Sequence, residues 1–102
     1  MSKIKIRSDG IFEIVHTPSA VLDYSFDWTG WLQTNETVTS SIWTINPTLT
    51  LTNPTLIGAI ATTFVSGGVL NSSYTLTNTV TTSQGRTDSR TMILNCQNKG
   101  IY

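Results

Sequence analysis

The chain is poor in charge. Its 102 residues carry six Lys or Arg against six Asp or Glu, 12% in all and net zero, where an average soluble domain carries about 25%. Binding to a phosphate backbone needs Lys and Arg in excess, so a nucleic-acid partner is not expected. Neutrality also removes the long-range repulsion that holds copies apart, which favours assembly. Cysteine is scarcer still: Cys96 stands alone. It has no partner for an internal disulfide, and no second thiol or nearby histidine completes a metal-ligand spacing, so it reads as a small buried hydrophobe and no cofactor is expected. Long apolar runs are missing too. Residues 56–65 form the longest weakly polar stretch, far below the ~18 residues that cross a bilayer. The opening MSKIKIRSDG has basic residues but lacks the apolar run of a signal peptide,. No membrane partner is expected, and synthesis in the cytoplasm is. The sequons at Asn35 and Asn71 would then never meet the glycosylation machinery.

Thr, Ser and Asn take the place of charge, while 38% of residues are hydrophobic. At this length one domain is expected, burying roughly 60–70% of its unfolded surface around a single core. Helical periodicity is absent, and β-branched and aromatic residues alternate with polar ones between Gly, Pro, Asn and Ser. The chain is therefore expected to be all-β.

KIKIR, SDG and IFEIVH predict two short strands about a turn at Asp9-Gly10, with Ile4 and Ile6 on one and Ile11, Phe12, Ile14 and Val15 on the other. Thr17-Pro18-Ser19 breaks the pattern there. Residues 1–17 are accordingly assigned to an N-terminal arm, an appendage whose removal leaves a folded domain over 18–102. In VLDYSFDWTGWL, Leu22, Tyr24, Phe26 and Trp28 share one face and Asp23, Ser25 and Asp27 the other. Val38 and the pair Trp43 and Ile45 have opposite parity, which a bulge near Ser40-Ser41 reconciles. Pro47 and Pro54 bracket a short edge strand holding Leu49 and Leu51, and another strand runs to Val65 before Gly67-Gly68. Tyr74, Leu76, Asn78 and Val80 then share a face, as do Met92, Leu94 and Cys96, with TSQGRT between them. That is a hairpin. About seven short strands at roughly ten-residue spacing favour an antiparallel β-sandwich over a barrel, the alternative this pattern leaves open. A tyrosine entering the penultimate strand matches the corner tyrosine of immunoglobulin-like sandwiches.

Little in this pattern carries chemistry. Asp23 and Asp27 are the one close acid pair on a predicted face, but four residues of strand span about 13 Å, outside the ~5–9.5 Å of glycosidase carboxyls. The single His16 sits in the predicted linker and reads as a surface histidine rather than a triad member. Gly67-Gly68 lacks the Lys-Ser/Thr of a phosphate loop and reads as a turn. Trp28 and Trp43 fall on inward faces, so core packing is favoured over a sugar-binding platform; Trp31 follows the Thr29-Gly30 turn. Phe64 and Val65 have opposite parity, and an outward Phe64 would be interface material. Arg86, Asp88 and Arg90 alternate, so on a strand they point to one side, the side of Met92, Leu94 and Cys96. Two roles stay open for them: an ion-pair ladder bracing the hairpin, or a polar tip that docks another subunit.

Two segments, SAVLDYSFDWTGWLQTNETVTSSIWTI and FVSGGVLNSSYTLTNTVTTSQGRTDSRTMIL, carry a wider pattern. Its elements are Leu22-Asp23-Tyr24, Asp27-Trp28, Trp31-Leu32, Ser41, Trp43, Ser66-Gly67-Gly68, Tyr74, Leu76-Thr77-Asn78, and Gly85-Arg86-Thr87-Asp88 with Arg90. Over Ser19 to Cys96 the chain resembles a family of small β-sandwich virion proteins of tailed bacteriophages, described as fibre-tail adaptors. Asn71 replaces the glycine usual before the tyrosine strand, and the Lys/Ile-rich arm lies outside the pattern. The resemblance implies a non-catalytic structural component of the virion, made in the bacterial cytoplasm, joining tail and fibre or neighbouring virion proteins as a homo-oligomer. Capsid decoration is an alternative. A second is an immunoglobulin-like module for host surface glycans. The candidate interface comprises Ile4, Ile6, Ile11, Phe12, Ile14, Phe64, Arg86, Asp88 and Arg90, with the arm pairing onto a sheet edge of a neighbour.

Overall fold

The computed structural model describes residues 4–6 and 12–97. Every regular element among them is a strand: β1 (Ile4–Ile6), β2 (Phe12–His16), β3 (Val21–Asp27), β4 (Val38–Asn46), β5 (Thr50–Ile57), β6 (Ile60–Ser66), β7 (Ser73–Thr82) and β8 (Thr87–Cys96). Two sheets form, in the orders β1-β2-β8-β7-β4 and β3-β6-β5. Seven strands thus build a four-on-three sandwich, and β1 extends one edge. The ladders are antiparallel except between β2 and β8, where Phe12 to His16 run parallel to Met92 to Cys96.

Period-two alternation decides which side chains face the opposing sheet. Tyr24, Phe26 and the following Trp28 point inward, as do Tyr74, Leu76 and Val80 of β7 and Met92, Leu94 and Cys96 of β8. Leu76, Leu94, Val65 and Val80 are wholly buried, each stabilising the fold by about 1.5–3 kcal/mol relative to exposure. The β7–β8 hairpin runs in unbroken register from Ser73–Asn95 to Thr81–Thr87, and Gly85 supplies the positive φ (80°) of its turn.

The expected bulge in β4 is present as a register shift between Val38 and Ser40. The expected edge strand is β5, though it runs through Pro54 instead of stopping there. It tolerates that proline because the register against β6 is interrupted between Thr52 and Thr55, beside Asn53 in the left-handed region (φ 49°), and an interrupted edge needs no ladder N–H at that point. Tyr74, at the start of β7, accepts a hydrogen bond at its hydroxyl from the Val69 N–H at 3.1 Å. Among the described glycines Gly68 (φ 117°) is the tightest: a Cβ there would lie 2.5 Å from Cys96 Sγ.

The N-terminal segment departs from expectation. β2 is a member of the five-stranded sheet, Ile14 belongs to the core, and His16 is wholly buried. Thr17-Pro18-Ser19 is a turn within the sandwich, closed by the Ala20 N–H on the Thr17 carbonyl at 2.9 Å, and β1 pairs with β2 as expected, Ile4 opposite Ile14. Cutting the chain before residue 17 would remove a sheet strand and expose core, so the folded remainder expected above does not follow. The predicted turn at Asp9-Gly10 lies outside the described residues.

Candidate functional site

The hairpin tip Gly85 to Arg90 meets the loop between β3 and β4, residues 28–37, and the two are tied together by a residue the sequence pattern did not single out. Glu36 is 6% exposed. Its Oε1 accepts the Gln33 N–H at 2.8 Å and Arg86 Nη2; its Oε2 accepts Arg86 Nε at 2.8 Å and the Thr82 hydroxyl. This is a bidentate guanidinium–carboxylate pair, planar and charge-assisted. Arg86 Nη2 also donates to the Trp31 carbonyl at 3.1 Å, and its guanidinium lies 4.2 Å from the centre of the Trp31 ring. The arginine hydrogen bonds are the largest cause holding the Glu36 carboxyl down to about 2, and the same pairing raises Arg86.

Arg90 repeats the motif four residues on, within β8. Its guanidinium sits 4.1 Å from the Trp28 ring centre, and Nη1 donates to the Asp27 carbonyl at 2.9 Å. Trp28 and Trp31 meet edge to face with centroids 5.1 Å apart, so two arginines and two indoles form one stack. Below it, Asn78 is wholly buried at an inward position of β7. Its Oδ1 accepts the Trp28 Nε1–H at 2.9 Å and its Nδ2 donates to Ser41 Oγ at 2.8 Å. One amide therefore links β7, β4 and the indole at the end of β3. Ser83 adds two more ties, its N–H to the Thr37 carbonyl at 2.8 Å and its Oγ accepting the Thr37 N–H at 3.0 Å.

Arg86 and Arg90 make intramolecular contacts of the bracing kind, but with different partners from those expected. Arg86 is held by Glu36 and Trp31 of the β3–β4 loop and Arg90 by Asp27 and Trp28 where β3 ends, while Asp88 adds a charge interaction with Arg86. Asp88 remains exposed, with Oδ1 accepting the Ser89 N–H at 2.8 Å. Phe64 faces outward and is half-buried, standing between Asp23 and Thr52 on the neighbouring strands. Ile14 lies in the core instead of at an open surface. Ile4, Ile6 and Phe12 lie on β1 and β2, and Ile11 lies outside the described residues.

His16 is the second correction, because burial replaces the surface position expected. Its Nδ1 is 2.7 Å from the Tyr24 hydroxyl, and its Nε2 has no hydrogen bond. Burial lowers its pKa, offset in part by the Gly67 carbonyl. The alternation Phe12, Ile14, His16 was the signal available. Burial likewise pushes the Cys96 thiol up. Asp27 is exposed and capped by the Thr29 hydroxyl and N–H, which lower its pKa. Trp43 is half-buried and stacks on Phe26 with centroids 5.9 Å apart.

No curated protein matches the chain significantly. A family model does, over residues 16–95, a span from the end of β2 to the penultimate residue of β8. That span holds most of the sandwich core, the braced tip and the Asn78 link, and it covers most of the chain, which therefore belongs to the family described as podophage GP4 fiber-tail adaptor protein gp77.

Proposed function

We propose that this protein is a non-catalytic structural joint of a tailed-phage particle, linking tail and fibre. Family membership carries the proposal. The disposition of the polar groups supports it: Glu36, Arg86, Arg90 and Asn78 are spent on one another and on the indoles, stiffening one end of the sandwich. A joint between virion components needs rigidity and surface, and the braced tip supplies the first. Phe64 and Asp88 are the outward members of the proposed interface with tail, fibre or neighbouring subunits. The tryptophans do not favour the glycan-binding alternative, because Trp28 is buried, Trp31 lies beneath Arg86 and Trp43 stacks on Phe26.

A phage carrying a nonsense allele of the gene tests this. Electron microscopy of particles grown without suppression should show filled heads with tails but no fibres. Fully fibred particles with a fragile shell would instead support decoration and overturn the adaptor assignment.

A further inference from the structure

Among the described residues the two sheets present four edge strands, β1 and β4 on one and β3 and β5 on the other. An unpaired edge is a template for another chain, and proteins blunt such edges with short length, charge, proline or bulges. Three of the four are blunted here. β1 is only three residues long. β3 sets Asp23 and Asp27 on its exposed face. β5 is interrupted at Asn53-Pro54. β4 differs: nine residues, VTSSIWTIN, without a charged group or a proline. Its one irregularity lies between Val38 and Ser40, leaving Ser40 to Asn46 in regular register with β7. Ile42, midway along that stretch, is 61% exposed.

We propose that β4 is a homotypic docking edge, on which β4 of a second copy pairs antiparallel about a two-fold axis at Ile42. Charge and continuity select this occupant. A self-pair of β3 would set its two aspartates against their own like charges, and β5, though uncharged, is broken at Asn53-Pro54, whereas β4 meets itself unbroken and without repulsion and offers a charged strand nothing to complement it. The register is self-matching as well. With Ile42 opposite its copy, Ser40 stands opposite Thr44 and Ser41 opposite Trp43. The outward row then repeats across the axis the hydroxyl pairs already present between β7 and β8, Thr79–Ser89 at 2.7 Å and Thr77–Thr91 at 3.3 Å, and the exposed isoleucines cover each other. A cleft of about 340 Å³, lined by Thr39, Ser40, Ser41, Pro54, Thr55 and Leu56, opens beside this edge and closes over in the pair. Two five-stranded sheets become one continuous sheet through an isologous interface. The proposal is independent of which virion components the protein joins.

Sedimentation velocity on the full chain tests it. The wild type should sediment as a dimer, and Ile42→Lys or Ile42→Glu alone should raise the dissociation constant about a hundredfold, since each sets like charges against each other at the axis. Circular dichroism should show both variants folded, because the side chain is already in solvent. Mixing the two should restore a dimer carrying one copy of each. A monomeric wild type, an unchanged dimer in Ile42→Lys, or a mixture that stays monomeric would each overturn the proposal. So would a monomeric wild type whose Ile42→Lys form is lost from virions, which would assign the edge to a strand of another virion protein.

Discussion

Replacing Asn78 by Leu strikes the one side chain that joins β7, β4 and the end of β3. The two side chains are close in size, so the change leaves little cavity, and its cost is mainly one of polar pairing. Trp28 is wholly buried, and without Asn78 Oδ1 at 2.9 Å its Nε1–H has no acceptor. A buried donor left unsatisfied costs about 1–3 kcal/mol, and each lost hydrogen bond a further ~0.5–1.5 kcal/mol. Added apolar burial at the new Leu offsets part of this. A net loss of about 2 kcal/mol is expected, or a fall in Tm of roughly 8–16 °C for a domain of this size. The sharper quantity is the coupling with Trp28→Phe, which removes the donor itself. In that background Asn78→Leu should cost less by about 1–3 kcal/mol, measured by urea denaturation followed by far-UV circular dichroism across the four members of the cycle. A coupling within about 0.5 kcal/mol of zero would mean that the amide and the indole act independently, and would refute the link as the element that ties the two sheets together.

Two other predictions address the brace and the tight turn. Because Glu36 titrates at about 2 in the folded chain against an ordinary 4.5, its contribution is present above pH 4.5 and is lost as pH falls toward 2. The urea-midpoint gap between wild type and Glu36→Gln should therefore be widest near neutrality and close over that window. Wild type and variant should share a shallower loss of stability below pH 6.5, from the lowered His16 that must charge on unfolding,, which cancels in the gap; a gap independent of pH would contradict the brace. Gly68→Ala should destabilise by about 2–6 kcal/mol, since it combines backbone strain at φ 117° with a Cβ 2.5 Å from Cys96 Sγ,. Adding Cys96→Ala should recover the steric part but not the strain, as chemical denaturation will read.

What was legible in the sequence followed from local alternation. β3, β7 and β8 bury the side chains whose parity marks them, because a half-buried strand enforces period two, and Gly85 marks the hairpin turn without reference to anything distant. What was not legible depended on pairing across the fold. Pro18 is a genuine break, but whether the strand before it is an appendage or a sheet member is decided by β8, 80 residues on, where Phe12 meets Met92. The alternation of Arg86, Asp88 and Arg90 placed the arginines on one side correctly. Their partners, Glu36 and the faces of Trp31 and Trp28, sit 50 to 62 residues earlier; alternation set Trp28 inward, but nothing local paired it with an arginine, and Glu36 and Trp31 lie in a loop with no periodicity to point at them. Asn78 was a half-visible case: its parity set it inward, where an amide must find partners, but nothing local named the indole.

Quantitative mass spectrometry of purified virions decides whether this chain is a fibre-tail joint. The protein should be present at a copy number commensurate with the tail fibres. Its absence from particles, or a copy number matching that of the major capsid subunit, would rule that role out.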